Sequence, residues 1–303
     1  MEKDVTFYSA GFKLFGTLYV PDDIRSGARL PTVLCCHGLR ANRKVILPEF
    51  ARTFVKHGYA AFVFDYRGFG DSEGQKHRLI SRERDEDIIN ATTFLGLQPE
   101  IDADRIALFG ISYGGANVIS TGAADPRTKA VVSVVGFGDG DRWMRNSRRL
   151  WEYWALRKRI EKDRERRVLT GTSEYVDAYE ILIPTPAEEK VYSGGGQIAS
   201  LKSELPLETA DDIMSYKPEA VVARIAPRPL LIIGAELDYL TGFEECVSLY
   251  EKAQEPKRLH ILPGISHYDT YTLGFDTVVR LSLDVFGQTL KNVQSSESRV
   301  KNY

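Results

Sequence analysis

An α/β fold, with eight strands in a mostly parallel sheet between helices on both faces, is what this sequence predicts. Three observations predict it. Short apolar runs, most of them rich in β-branched residues, recur along the chain, segments of helical pattern lie between them, and one long interval breaks the alternation. Strands that alternate with helices form βαβ units, whose right-handed crossovers cover both faces of the sheet.

The first two strands alternate, Val5-Phe7-Ser9 and then Phe12-Leu14-Gly16-Leu18-Val20, around the turn signal Ala10-Gly11. They read as an antiparallel hairpin. Six more runs follow at 32–36, 60–65, 106–111, 130–135, 230–234 and 259–262, each too short for a helix. Helical patterns at 48–57, 81–95, 113–122, 243–253 and 277–290 follow the third, fourth, fifth, seventh and eighth strands. Between Asp141 and Lys217, 77 residues carry no comparable strand signal. A junction of this kind normally takes about two to six residues, so the interval reads as a helical cap inserted after strand six. The expected division is a core of 1–140 and 218–292, a cap of 141–217 and a frayed polar tail of 293–303. Residues 141–168 of the cap hold eleven Lys and Arg against five acids, and 173–217 hold three Lys against nine acids. The two halves are expected to pair with each other or face solvent. Ser193 to Gly196 reads as a flexible turn.

The chain has 303 residues, 43% hydrophobic and 27% charged, enough to bury a core without metal or disulfide staples. Forty basic side chains against forty-two acidic ones leave a formal net charge of −2. No global field draws the protein to nucleic acid or to an anionic membrane. Cys35, Cys36 and Cys246 form no disulfide framework, and there is neither a signal-peptide core nor an apolar stretch of membrane-spanning length. A soluble, cytoplasmic protein is expected.

The strongest local signal is Gly110-Ile111-Ser112-Tyr113-Gly114-Gly115, placed where a buried strand gives way to a helix. A serine at such a turn stands above the sheet with its hydroxyl exposed, and flanking glycines let the backbone turn sharply. Serine is a weak nucleophile at neutral pH, so a base must lie within hydrogen-bond reach and a third group must orient the base. Candidates stand past the carboxyl ends of the last two strands, the edge where open α/β sheets bind ligands. His267 is the expected base; Asp238 is favoured over Glu236 as its partner because it stands farther out on the loop. His37-Gly38-Leu39 follows the third strand, where the Leu39 and Tyr113 backbone N–H groups are expected to form an oxyanion hole.

Other residues invite plainer readings. His57, His77 and His260 are expected to be structural, Cys35 and Cys36 to act as small core hydrophobes, and the Asp65 to Ser72 stretch to shape a loop beneath the catalytic end. Trp143, Trp151 and Trp154 fall within twelve residues, at spacings that place them roughly on one helical face. Part of that stripe is expected to roof the site, which favours a bulky or aromatic acyl group.

In their order along the chain, Cys36-His37-Gly38, the stretch from Asp65 to Ser72, the Ser112 elbow and the Asp238 and His267 pair resemble the α/β-hydrolase superfamily. The resemblance covers 7–290 outside the cap and is nearest to dienelactone-hydrolase-like and acyl-peptidase-like esterases, a branch that includes thioesterases of secondary metabolism. It implies an α/β-hydrolase fold with Ser112 as nucleophile, His267 as base and Asp238 as its partner. The expected reaction is hydrolysis of a small carboxylic ester, then thioester or lactone, with no metal or organic cofactor. Acyl transfer, and peptide or carbon–carbon bond cleavage by the same triad, stay open, as do a non-catalytic binding protein on this scaffold and a homodimer.

Overall fold

A computed structural model describes residues 1–25, 27–183, 185 and 204–291. The turn expected at Ser193 to Gly196 and the polar tail of 293–303 lie outside them. The hairpin forms as read: β1 (Glu2–Ser9) pairs antiparallel with β2 (Phe12–Tyr19), and Ala10 and Gly11 take positive φ values of 48° and 85°. Both central residues of a two-residue turn take that hand when its twist matches the strands. Next come β3 (Leu30–Cys36), α1 (Leu47–Lys56), β4 (Ala60–Phe64), α2 (Ser81–Gly96), β5 (Ile101–Ile111), α3 (Tyr113–Ala124) and β6 (Thr128–Val134).

After β6 the chain leaves the sheet for α4 (Gly140–Asn146), α5 (Leu150–Thr170) and a two-stranded antiparallel ribbon, β7 (Tyr175–Asp177) with β8 (Glu204–Pro206). It returns through the helix Glu208–Ser215 to β9 (Leu230–Leu237), the helix Phe243–Lys252, β10 (Lys257–Ser266) and the helix Phe275–Phe286. The eight-stranded sheet has the order β1-β2-β4-β3-β5-β6-β9-β10. Only the β1–β2 and β2–β4 pairs within it are antiparallel.

Because both faces are covered, the central strands are apolar at nearly every position rather than alternating. In β4, Ala60, Phe62 and Phe64 pack with Ile88 and Leu95 of α2, while Ala61 and Val63 enter the opposite layer with Phe50 and Phe54 of α1. All three cysteines are buried, with burial pushing the Cys36 thiol up to about 12. Among the described residues no helix is long and apolar enough to cross a membrane.

The charge asymmetry between β6 and β9 resolves into pairing. Arg159 of α5 meets Glu174 and Glu180, and Arg164 and Arg167 both meet Asp211 on the helix Glu208–Ser215. The expected tryptophan stripe does not form. Helix α4 stops at Asn146 and α5 starts anew at Leu150, with the Glu152 carboxylate accepting from the Arg149 N–H (2.8 Å) as its cap. Spacing along one helix therefore has no meaning across the break.

Candidate active site

Four loops at the carboxyl edge of the sheet bring the site together. At the end of β5, Ser112 sits at φ 55° and ψ −124°, a conformation that L-residues adopt only under local constraint. Two glycines permit it. A β-carbon on Gly110 would lie 2.2 Å from the Gly114 carbonyl oxygen, and one on Gly114 would lie 2.2 Å from that of Cys36. The Ser112 N–H donates to Val134 O of β6 (2.8 Å), so neighbouring strands hold the strained turn in place.

From β10 comes His267, the first residue after the strand. Both terminal strands run farther than the apolar runs indicate, because Leu237 pairs with Ser266 beyond an irregularity in the register. That extra pairing separates the two candidate acids. Glu236 lies on β9, exposed, and accepts from the Gly264 N–H (2.7 Å). Asp238, one residue past the strand, is buried and accepts from His267 Nδ1–H at 2.8 Å. Since an ionised carboxylate only accepts, Nδ1 carries the proton and the Nε2 lone pair faces Ser112 Oγ at 3.0 Å.

Asp238 also accepts from the Leu240 N–H (3.0 Å), the Thr241 N–H (2.9 Å) and the Thr241 hydroxyl (2.7 Å). Burial opposes its ionisation, but the charge and hydrogen bond of His267 and the donors of Thr241 outweigh it, holding the carboxyl below its ordinary value. The acceptor that orients the imidazole thus stays charged.

The fourth loop is His37-Gly38-Leu39 after β3. Gly38 passes so close to the elbow that a β-carbon there would lie 3.2 Å from Ser112 Cβ. Leu39 and Tyr113 border the same cavity as Ser112 and His267, and neither backbone N–H donates to a protein acceptor among the described residues. Tyr113 opens α3, so the positive end of that helix faces the place where negative charge would develop.

Behind this loop lies a residue that sequence reasoning missed. Arg84 of α2 is buried; its Nη2 donates to His37 O (2.7 Å) and Gly38 O (3.3 Å), and its guanidinium lies 3.7 Å from the centre of the Tyr66 ring. Helical spacing would assign an arginine to solvent, and no local signal marks this one. Burial and the nearby Arg84 charge push the His37 imidazole well below its ordinary value, so His37 stays neutral beside that cation. If Arg84 holds the loop, Arg84→Met should lower kcat about 10 to 100-fold with a smaller change in KM, the signature of a misplaced transition-state donor. Steady-state kinetics beside a thermal melt checks this.

The cavity over Ser112 is narrow, ≈ 50 Å³, and mostly apolar, with Ile46, Ile111, Leu182 and Leu240 in its wall. Trp143 lines it too, 4% exposed, with its indole N–H donating to Leu240 O at 2.7 Å. Contrary to the expectation from spacing, Trp151 and Trp154 are 65% and 55% exposed on α5 and do not line this cavity. Arg40, Tyr268 and Tyr271 border it without having been singled out, and Tyr271 lies on a short turn that only the fold brings back toward His267. The Asp65 to Ser72 loop stays outside the cavity wall. The Asp65 carboxylate there accepts from the Arg43 and Asp71 N–H groups, and Arg67 pairs with Asp87 of α2.

The family model described as serine aminopeptidase, S33, matches residues 28–269. An uncharacterised 31.7 kDa protein of Escherichia coli, from a traX-finO intergenic region, is 33% identical over 246 residues, which cover 81% of this chain and 86% of that protein. The thiohydrolase aneE of Aspergillus aculeatus is 26% identical over 276 residues, covering 85% and 83%. The crystal structure of the α/β hydrolase GrgF from a Penicillium species superposes with a TM-score of 0.81 at 23% identity, covering 96% of this chain and 99% of that one. In sequence the same fungal protein, a polyketide transferase, is 24% identical over 269 residues, covering 84% and 87%.

Proposed function

The chain belongs to the serine aminopeptidase S33 family of α/β-hydrolases, and on that premise we propose that it is a serine acyl hydrolase acting on a small ester or thioester. One observation carries the reading: Ser112 Oγ, His267 Nε2 and Asp238 stand in a hydrogen-bonded relay of 3.0 and 2.8 Å at the mouth of an apolar cavity. In this reading His267 takes the Ser112 proton as Oγ attacks the acyl carbon, and the Leu39 and Tyr113 N–H groups hold the oxyanion. The proton then passes to the leaving group, and water resolves the acyl-enzyme in the same way. In this reading the described segments of the cap, 141–183 and 204–217, cover the catalytic edge of the core, with Trp143 in the roof.

The family's description raises a peptidase alternative. An aminopeptidase must hold a substrate ammonium, yet the described cavity wall carries the Arg40 guanidinium and no carboxylate. That wall favours an uncharged or anionic acyl group. Acyl transfer to a second nucleophile is the stronger rival, supported by the likeness to a polyketide transferase.

The test is a fluorophosphonate label mapped by mass spectrometry, beside a panel of acyl esters, thioesters and aminoacyl anilides. A label on the Ser112 peptide with turnover of esters or thioesters is expected, and a label on a different serine would overturn the assignment. The cap has its own test. Trp143→Ala should change the ratio of kcat/KM between long and short acyl esters by roughly 10 to 200-fold, as loss of a pocket contact does. Trp151→Ala and Trp154→Ala should leave that ratio unmoved and shift stability by no more than about 0.5 kcal/mol, as exposed positions do.

A further inference from the structure

A second hydroxyl reaches the imidazole. Tyr271 Oη lies 3.3 Å from His267 Nε2, on the same nitrogen that Ser112 Oγ approaches at 3.0 Å. The tyrosine is buried, and its ring stands edge-on to the His267 ring at 5.8 Å. Its turn is pinned at several points: the Tyr271 N–H donates to Tyr268 O (3.0 Å), Thr270 Oγ1 donates to Ser266 O (3.0 Å), and Ser266 Oγ donates to Asp269 (2.6 Å). The hydroxyl is therefore held beside the base by the fold, not by chance rotation of an exposed side chain.

Nε2 has one lone pair. In the resting site the Ser112 hydroxyl occupies it. Once Oγ carries an acyl group it has no hydrogen left to give, and Nε2 faces whichever oxygen enters next. With Nε2 and Oη only 3.3 Å apart, one oxygen can stand about 2.8 to 3.0 Å from both. Water and alcohols differ there by one hydrogen. Water gives one hydrogen to Nε2 and the other to Oη, which leaves a lone pair aimed at the acyl carbon. An alcohol spends its single hydrogen on Nε2 and must fit its carbon against the tyrosine.

We propose that Tyr271 is a further catalytic residue, whose hydroxyl binds the molecule that resolves the acyl-enzyme and favours water over alcohols. This rests on the Ser112 acyl-enzyme reading. In the step itself the water oxygen bonds to the acyl carbon as its proton passes to Nε2 and the carbonyl electron pair moves to the oxyanion. On collapse the carbon–Oγ bond breaks, the Nε2 proton returns to Oγ, and the carboxylic acid leaves. Tyr271 accepts a hydrogen bond throughout and ends the cycle with its own proton.

The experiment measures partition. The parent protein and Tyr271→Phe are given para-nitrophenyl butyrate at a fixed methanol concentration, and butyric acid and methyl butyrate are quantified by gas chromatography. The phenylalanine variant should still show a nitrophenol burst, and its ratio of methyl ester to acid should rise about tenfold, the effect of one hydrogen bond. An unchanged ratio overturns the proposal even if both rates fall, because a merely structural role would slow the two products together. Should Tyr271→Phe not fold, a ring-fluorinated tyrosine at 271, a weaker acceptor, must move the ratio in the same direction, and no movement overturns the proposal equally. If the parent protein forms no butyryl adduct on Ser112, the acyl-enzyme reading fails first, which intact-mass analysis of the burst separates from failure of Tyr271 alone.

Discussion

Replacing Ser112 by alanine should lower kcat by about six orders of magnitude and abolish covalent labelling, while the melting temperature stays near that of the parent or rises. The reason lies in what Oγ does and does not hold up. Its one partner among the described residues is His267 Nε2 at 3.0 Å, whereas the elbow is tied by backbone bonds from the Ser112 N–H to Val134 O and from the Gly115 N–H to Ser112 O, which alanine keeps. In the proposed mechanism Oγ is thus needed for bond formation and not for the fold. Any residual turnover would come from the Leu39 and Tyr113 amides acting on bound substrate. Circular dichroism beside turnover of a chromogenic ester makes the comparison, and a variant that retains more than a few per cent of parental kcat would refute Ser112 as nucleophile.

Asp238→Asn is expected to lower kcat by about four orders of magnitude, and Glu236→Gln by no more than a few-fold. An asparagine can present its amide hydrogens to Nδ1, which turns the imidazole to the wrong tautomer and removes the lone pair that Ser112 needs. Glu236 bonds only the Gly264 N–H, from the exposed end of β9, so its loss leaves the imidazole untouched. Stability adds a second reading. Folding depresses the Asp238 pKa below its ordinary 3.8, so the contribution of this carboxylate is fully present above that value and is lost as the pH falls through the lower folded value. Asp238→Asn should therefore narrow the gap in melting temperature to the parent as the pH is taken from neutral to acid. A rate ranking reversed between the two variants would move the acid to Glu236.

Much of the site was legible because its chemistry is written in local turns. The elbow needs glycine at 110 for a steric reason that acts within four residues, although the one at 114 is required by the distant Cys36 carbonyl, and a strand-to-helix junction is visible in the periodicity on either side. Asp238 and His267 could be chosen because each follows a buried run, and parallel strands deliver their carboxyl ends to one edge of the sheet. The tryptophans misled for a complementary reason. Their spacing assumes one continuous helix, and the break between Asn146 and Leu150 turned Trp151 and Trp154 outward while Trp143 stayed inside.

What the sequence by itself determined is the strand and helix order of the core, the mostly parallel sheet, the place where the alternation breaks, and the three chain positions whose side chains meet at the elbow. Only the tertiary structure decided that Glu236 points to Gly264, that Arg84 lies under the loop of His37 to Leu39 instead of in water, and that Tyr271 shares Nε2 with Ser112. The difference is one of range. Periodicity and turn chemistry act over a few residues and leave a trace in composition. The direction of a buried side chain is set by packing between elements far apart in the chain, such as the 47 residues that separate His37 from Arg84, and by strand pairing whose last register no single segment records.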